Sequence, residues 1–440
     1  MKKEMILEIN NFGRIDNAKI NLGKINIIAG PNKTGKTTSS KIIYCLLASL
    51  SSDGTALLCE SIKSRLEPAI MYSFGIVDDY DDRDELMVLT SQLNNHFDNI
   101  LKVKKIFDDF KLFINVRENI KENNRINELV TEIERIFDLN EDKYKIHRET
   151  LSILLNKEFD SNSIAENFGN SHICFKGIDK CEFSVEIFTN HEKEGNKFLI
   201  NKDLFKCFDI NEVVYLETPY ILDLGTYLRD LPFTIRTSNF HQEFLVEKLE
   251  DISNQKDVFD KVFNRKIDKI LEKIDEIIGG SFYFDEKRNQ FIFKENEKEF
   301  AMKDTSSGVK QIGLIQMLLA NRKLPEGSYL IMDEPEVHLH PEWQLKLAEI
   351  IVLLSQETNM VFYINSHSPQ FVEAIETYST LYNFSEEVNF HLAELSHDKK
   401  DWVDIKPVEK KDIIKIYDNL GNPYDELDRV QGKIIANNLK

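Results

Sequence analysis

Short runs in which apolar and polar residues alternate open the chain and predict strands. Leu7, Ile9 and Phe12 form one such run, and Ala18, Ile20 and Leu22 another. Ile25, Ile27 and Ile28 make an apolar strand that runs into Gly30. Beyond it, the spacing of Ile42, Ile43, Leu46, Leu47 and Leu50 predicts a helix with one apolar face. From about Ser51 to Phe168 the pattern changes. Apolar residues recur three and four apart in a polar, acidic background, as in 101–113 and 126–137, so a mainly helical insertion with solvated charged faces is expected. No long heptad register is sustained there, which argues against a coiled-coil arm. Strands return between His172 and Ile200, with Phe183, Val185 and Ile187, and again at Val213–Leu216 before Glu217-Thr218-Pro219. A second helical block runs from His241 to Ile278 and stops at Gly279-Gly280. Phe282–Phe284 and Phe291–Phe293 predict a hairpin, and from Asp304 to about Ser385 helix and apolar strand alternate. There is no internal repeat and no low-complexity tract.

These elements imply an α/β fold in which a helical insertion splits one head. The expected division is 1–50 for the first part of the head, 51–170 for the insertion, and 171–240 for a strand-rich return. A helical segment, 241–280, follows, then the second part of the head, 281–390, and a C-terminal extension, 391–440. At 440 residues the length suits about two or three domains. With 42% hydrophobic and 30% charged residues the chain can bury a core and is not a disordered one. No apolar run of about 18 residues appears, so no membrane span is expected. Two lysines lie in Met1–Met5 without an apolar stretch behind them, which is not a signal peptide. Cys45, Cys59, Cys174, Cys181 and Cys207 are scattered, odd in number and without a CxxC pair. A disulfide framework or metal cluster is therefore not expected, and a reducing cytoplasm is the simplest setting. The net charge of −19 argues against a broad DNA-binding surface. It leaves room for DNA only in a local basic groove. Lys2, Lys3, Arg14, Lys19, Lys24, Lys33, Lys36 and Lys41 do outnumber Glu4, Glu8 and Asp16 at the start.

The chemistry concentrates in four places. Gly30-Pro31-Asn32-Lys33-Thr34-Gly35-Lys36-Thr37 fits G-x-x-x-x-G-K-[ST] between a strand and a helix, with Thr38 following. Glycines let the loop's N–H groups converge on phosphates at a positive helix end. Lys36 then reaches the β and γ phosphates, and the Thr37 hydroxyl is a ligand for Mg²⁺. An ordinary glycine turn before a helix is the bland alternative. Tyr329-Leu330-Ile331-Met332 delivers Asp333 and Glu334 to a strand end, where the first would hold the metal and the second polarise water. Thr305-Ser306-Ser307-Gly308-Val309-Lys310-Gln311 offers a second anion-binding helix start, through Ser307 and Gly308, or else a plain cap. Val361–Ser366 is an apolar strand ending at His367, placed where a γ-phosphate sensor belongs. His338 and His340 beside Glu336 admit a metal reading, but a turn feeding a subunit contact is the preferred one.

Taken together, these residues resemble the ABC-type ATPases of the non-transporter branch that holds the RecF, SMC and OLD-nuclease proteins. Asn32 in the Gly-Pro-Asn loop is typical of that branch. Ser306–Gln311 looks like a variant of its signature motif, with Val309 where transporters have a second glycine. Asp333-Glu334-Pro335-Glu336 with His338-Leu339-His340-Pro341 looks like its Walker B and D-loop, and Ser366-His367-Ser368-Pro369 like its switch histidine. Within the branch the nearest resemblance is to the AAA-15-type ATPases of prokaryotic anti-phage systems such as Septu, PARIS and retron-linked modules. It covers about residues 1–50 and 210–390 and leaves the Q-loop glutamine unassigned. The resemblance implies ATP and Mg²⁺ as cofactors, and a homodimer or higher homo-oligomer with ATP at the shared face. It also implies a separate toxin or nuclease as effector, and no membrane. The other readings are a RecF/SMC-like DNA-repair ATPase and, more weakly, a transporter ATPase without its membrane partner. OLD nucleases add a Toprim domain with an Asp-x-Asp strand end. Fewer than eighty residues follow Pro369, and Asp398 with Asp401, or Asp425 with Asp428, lack that spacing and a preceding apolar strand. No nuclease domain is therefore expected in this chain.

Overall fold

A computed structural model describes residues 5–51, 54–95, 100–137, 143–159, 171–177, 183–189, 198–203, 210–223, 240–251, 261–396 and 399–438. Lys2, Lys3, Glu4, Cys181, Cys207 and Asp398 lie outside these residues. The strands are β1 (Met5–Phe12), β2 (Ile15–Leu22), β3 (Ile25–Ala29), β4 (His172–Gly177), β5 (Phe183–Thr189), β6 (Phe198–Asp203), β7 (Val213–Leu216), β8 (Ser281–Asp285), β9 (Gln290–Glu295), β10 (Lys298–Ala301), β11 (Tyr329–Asp333), β12 (Val361–Ser366), β13 (Val388–Leu395) and β14 (Val403–Val408). Helices of the first half are α1 (Lys36–Ala48), α2 (Gly54–Phe74), α3 (Tyr80–Asn95), α4 (Ile100–Asn115), α5 (Glu118–Lys121), α6 (Asn124–Phe137) and α7 (Lys143–Glu158). Those of the second half are α8 (Phe240–Glu250), α9 (Lys261–Ile278), α10 (Ser307–Ala320), α11 (Pro341–Thr358), α12 (Pro369–Leu381) and α13 (Ile414–Asn438).

Among the described residues, eleven strands make one mixed sheet in the order β6-β5-β4-β1-β2-β14-β13-β3-β12-β11-β7. The half from β13 to β7 is parallel throughout. Parallel strands covered on both faces read as unbroken apolar runs, and β3, β7 and β12 are buried at every position. The other half is antiparallel except at one seam, where β14 runs parallel to β2. In β2 it shows the alternation of a strand with one wetter face, with Ala18, Ile20 and Leu22 inward and Asn17 and Lys19 outward. One face of the sheet packs Ile28 against Ile42, Ile43, Leu46 and Leu47 of α1 and Leu151, Leu154 and Leu155 of α7. The opposite face packs Ile25, Ile27 and Ala29 against α9, α10, α11 and α12. Helices α2 to α6 hold a separate core around Leu66, Phe107, Phe110 and Ile133. The expected α/β head with a mainly helical insertion is therefore present.

One expectation is extended and another needs correction. The hairpin of β8 and β9 gains a third strand, β10, a short polar run whose alternation is too brief to read. The stretch from 391, expected as an extension, is part of the head: β13 crosses the 390 boundary, and β13 and β14 sit between β2 and β3. Phe390 and Leu392 of β13 complete the core beside β3. An apolar strand thus does precede the Asp398–Asp401 stretch. No helix among the described residues is long and apolar enough to cross a membrane.

Candidate functional site

Parallel strands end on one edge, and the loops leaving that edge are where ligands bind in open α/β sheets. Register places Ala29 beside Ser366, and Asn365 beside Asp333. The loop after β3, the carboxylates of β11 and the histidine after β12 therefore meet in one row.

Gly30 starts the phosphate loop where no side chain fits, since a Cβ there would lie 2.5 Å from the Ala393 carbonyl oxygen. Lys33 and Gly35 adopt left-handed φ of 67° and 73°, the curl that turns successive N–H groups inward. Gly35 caps α1 without a side-chain bond, leaving the helix's first N–H groups open to an anion. Thr34 is buried and donates to the Pro31 carbonyl at 2.7 Å, while Asn32 and Lys33 are exposed at the loop's tip. Thr38 is half-buried close to Gly13. The Lys36 amine is buried and donates to the carbonyls of Gly30 and Pro31 at 2.7 and 2.8 Å. It stands 3.8 Å from Glu334. Burial pulls its pKa below the ordinary lysine value, against the raising effect of Glu334 and Asp333.

Thr37 donates to Asp333 Oδ2 at 2.6 Å. Asn365 donates to Asp333 Oδ1 at 2.7 Å, and Tyr215 to Oδ2 at 3.4 Å. Burial raises the Asp333 pKa, opposed by the Thr37 and Asn365 bonds. Glu334 has a left-handed φ of 50°, costly for a residue with a side chain and typical of functional sites. Its N–H donates to the Asn365 carbonyl at 3.0 Å. That conformation sends the carboxylate to the loop side, 3.3 Å from His367 Nδ1. His367 holds the Glu334 pKa below its ordinary value, and Glu334 raises that of His367 in turn.

The structure thus gathers Gly30, Lys36, Thr37, Asp333, Glu334 and His367. Ser307 and Gly308 lie elsewhere: among the described residues no hydrogen bond or ion pair joins them to that group. Ser306 caps α10 by accepting from the Val309 N–H at 3.3 Å. Gly308 packs on the turn before α11, where a Cβ would sit 2.9 Å from the His338 carbonyl. Lys310, three residues into α10, is buried and donates to both Asp223 carboxylate oxygens at 2.7 Å. His340 Nδ1 accepts from the Glu342 N–H and caps α11, and the His338 ring packs 5.6 Å from Tyr220. Among the described residues no group of His, Cys, Asp and Glu is arranged to hold a metal ion.

Sequence reasoning missed three contributors. Glu336 is almost fully buried; its Oε1 accepts from Ser366 Oγ at 2.6 Å, the His367 N–H at 3.0 Å and the Ser368 N–H at 3.3 Å. It shapes the turn that carries His367. Asn365 ties Asp333 to Ser40 of α1, donating to Ser40 Oγ at 2.6 Å. Glu217 accepts from His241 Nε2 at 3.2 Å and Gln242 at 3.1 Å. The His241 bond brings its pKa down to about 2. For Glu336 the sole signal was its place two residues after Glu334. For Asn365 and Glu217 it was a polar residue at the end of an apolar strand.

A family model described as AAA ATPase domain, AAA_15, matches residues 5–372. Similar solved structures include the SMC head domain from Thermotoga maritima, with 12% identity, 93% of this chain and 100% of that chain covered, and a TM-score of 0.39. A second is an SMC head bound to the C-winged helix domain of ScpA, with 12% identity, 94% and 100% covered, and a TM-score of 0.43. No curated protein matches the chain.

Proposed function

The chain belongs to the AAA_15 family of ATPase domains, and from that premise we propose that it hydrolyses ATP with Mg²⁺ at a site completed by a second copy. One observation carries the reading. Thr37 and Asp333, 296 positions apart, put two oxygen ligands 2.6 Å from each other at the mouth of the phosphate loop. Hard oxygen donors suit Mg²⁺, and the inward-curled loop with its uncapped helix suits a triphosphate. Asn32, Lys33, Thr34, Gly35 and Thr38 line or support that loop. Lys36 exchanges its two carbonyl partners for phosphate oxygens. Bound Mg²⁺ would withdraw charge from the β and γ phosphates. Glu334, kept ionised by His367 and Lys36, orients the attacking water and takes its proton. His367, on the same turn, senses the γ-phosphate. Ser307 and Gly308 open a helix toward a γ-phosphate held by another protomer. Among the described residues no hydrogen bond or ion pair ties them to the gathered residues of their own subunit, which is compatible with that role.

The biological reading is the ATPase subunit of a prokaryotic anti-phage defence system, acting in the cytoplasm and controlling a separate toxin or nuclease. Motif resemblance and the acidic surface favour it. Direct DNA clamping is the alternative, and net charge −19 speaks against it.

The test of the chemistry compares two variants. Glu334→Gln keeps ATP bound while turnover falls on the order of a hundredfold or more, whereas Lys36→Ala weakens nucleotide binding itself. Normal turnover in Glu334→Gln refutes the assignment. For the biological reading, duplex DNA binding is measured by anisotropy at rising salt. Tight binding that falls steeply with salt would favour the alternative.

A further inference from the structure

A second group of charges lies beside the nucleotide site and has no part in the chemistry above. His241, at the start of α8, has a side chain 1% exposed. Its Nδ1 lies 2.8 Å from Glu158 Oε1, at the end of α7, and its Nε2 3.2 Å from Glu217 Oε2, just past β7. Donating to both carboxylates needs a proton on each ring nitrogen, and against the lowering effect of burial the two carboxylates raise the His241 pKa. Lys41 of α1 brings a positive charge, 3.7 Å from Glu158 Oε2 and 4.0 Å from Glu217 Oε1. Glu158 is fully buried. A buried carboxylate is tolerated only when paired, and removing its partner is expensive. The phosphate-loop helix, the helix leading out of the insertion, a strand end and α8 therefore converge on one interlocked group.

That group touches the metal-side carboxylate through one side chain. The His241 ring packs 4.6 Å from Tyr215, and Tyr44 of α1 closes the stack at 5.9 Å from Tyr215 and 5.8 Å from His241. Tyr215 is buried, and its hydroxyl donates to Asp333 Oδ2, the oxygen that also accepts from Thr37. Nothing in ATP hydrolysis itself asks for Glu158, a residue of the insertion, to reach this deep.

Resting on the ATPase reading above, we propose that His241 is a positioning residue for Asp333. Anchored by Glu158 and Glu217, it fixes the Tyr215 ring whose hydroxyl aims Asp333, and so makes the last helix of the insertion a determinant of metal-dependent ATP binding. Partners that hold a metal-binding carboxylate act in this way, setting its orientation without touching the ion. Displacement of α7, by whatever binds the insertion, would then be felt at the metal.

The readout is the gain in ATP affinity on adding Mg²⁺, taken by calorimetry with and without the metal. His241→Ala and Glu158→Ala should each cut that gain by about tenfold and leave metal-free ATP binding unchanged. Glu158→Gln, whose amide oxygen still accepts from Nδ1, should restore most of it. Tyr215→Phe, which removes only the hydroxyl, should reproduce the loss. If His241→Ala does not fold, His241→Gln is measured instead. It keeps a donor for Glu217, gives up the one for Glu158, and should behave like Glu158→Ala. Folded variants with the wild-type Mg²⁺ gain overturn the inference and leave the ATPase reading standing. Failure of the wild-type chain to bind ATP at all overturns both.

Discussion

Glu336→Ala should destabilise the head and loosen the turn that carries His367, while Glu336→Gln should do little. The Oε1 atom of Glu336 holds three donors, at 2.6, 3.0 and 3.3 Å. The longest counts for least, because the Ser368 N–H also reaches Ser366 Oγ at 3.1 Å. Two close bonds to a charged acceptor contribute about 1.5–3 kcal/mol each, so roughly 3–6 kcal/mol together. Against that stands the cost of burying the carboxylate. Burial raises its pKa, and among the described residues Oε2 has no hydrogen-bond partner. Removing the side chain recovers part of that cost, which brings the expected loss for Glu336→Ala to about 2–4 kcal/mol. Glutamine keeps an oxygen at the Oε1 position and discards the charge. Its new N–H₂ meets the unpartnered side, so the two effects oppose and the net change should stay within about 1 kcal/mol. Urea unfolding followed by fluorescence gives the stabilities, and amide exchange of His367 and Ser368 reports the turn directly. Equal stabilities for the alanine and glutamine variants, or unchanged exchange at both amides in Glu336→Ala, would refute the reasoning.

Glu217 supplies a pH test. Its folded pKa of about 2 lies below the ordinary 4.5, so its stabilisation is complete above about pH 4.5 and fades as the pH falls toward 2. The gap is on the order of 3 kcal/mol. The stability difference between wild type and Glu217→Gln should therefore shrink over that window, and a difference independent of pH would exclude the His241 bond as its source. Assembly can be tested by mixing. Lys36→Ala and Ser307→Arg are each inactive alone, but a heterodimer gathers both lesions in one site and leaves the other intact, so activity should partly return. Demonstrated subunit exchange with no return of activity would count against a site made in trans.

The motifs were legible because each is a run of adjacent residues whose chemistry depends on local backbone. Gly30 to Thr37 needs only a strand before it and a helix after it, and both carry strong apolar signals in Ile25–Ile28 and Ile42–Leu47. Asp333 and His367 stand out in the sequence for the same reason, one at the end of a strand with an apolar run and the other just past one. What failed was long-range. β13 pairs with β3 across more than three hundred and fifty positions, and nothing local in 388–408 reveals a seat in the middle of the sheet. The same limit explains Lys310. A lysine near the start of an apolar helix reads as a charge for solvent or phosphate, and only the fold brings Asp223 to it.

The residues that position the site were hidden for a further reason. Glu158, His241 and Lys41 are unremarkable in sequence: one ends a helix, one lies at the start of another, and one lies on a helix already explained by its phosphate loop. Their meaning lies in meeting around the buried Glu158 and His241, and burial of charge is a property of the assembled fold, since each would be solvated in an isolated element. Glu336 differs only in degree. It sits in the conspicuous Asp333–Glu336 run, yet its left-handed neighbour Glu334 turns the chain so that the two carboxylates part. Glu334 remains 32% exposed beside Lys36, while Glu336 goes into the core beneath His367. Two identical side chains two positions apart thereby take opposite surroundings. The exposed one can meet water and exchange a proton; the buried one can only hold a turn in place. Sequence assigns both to one motif, and only the backbone between them, set by the pairing of Glu334 with Asn365, separates the exposed carboxylate from the buried one.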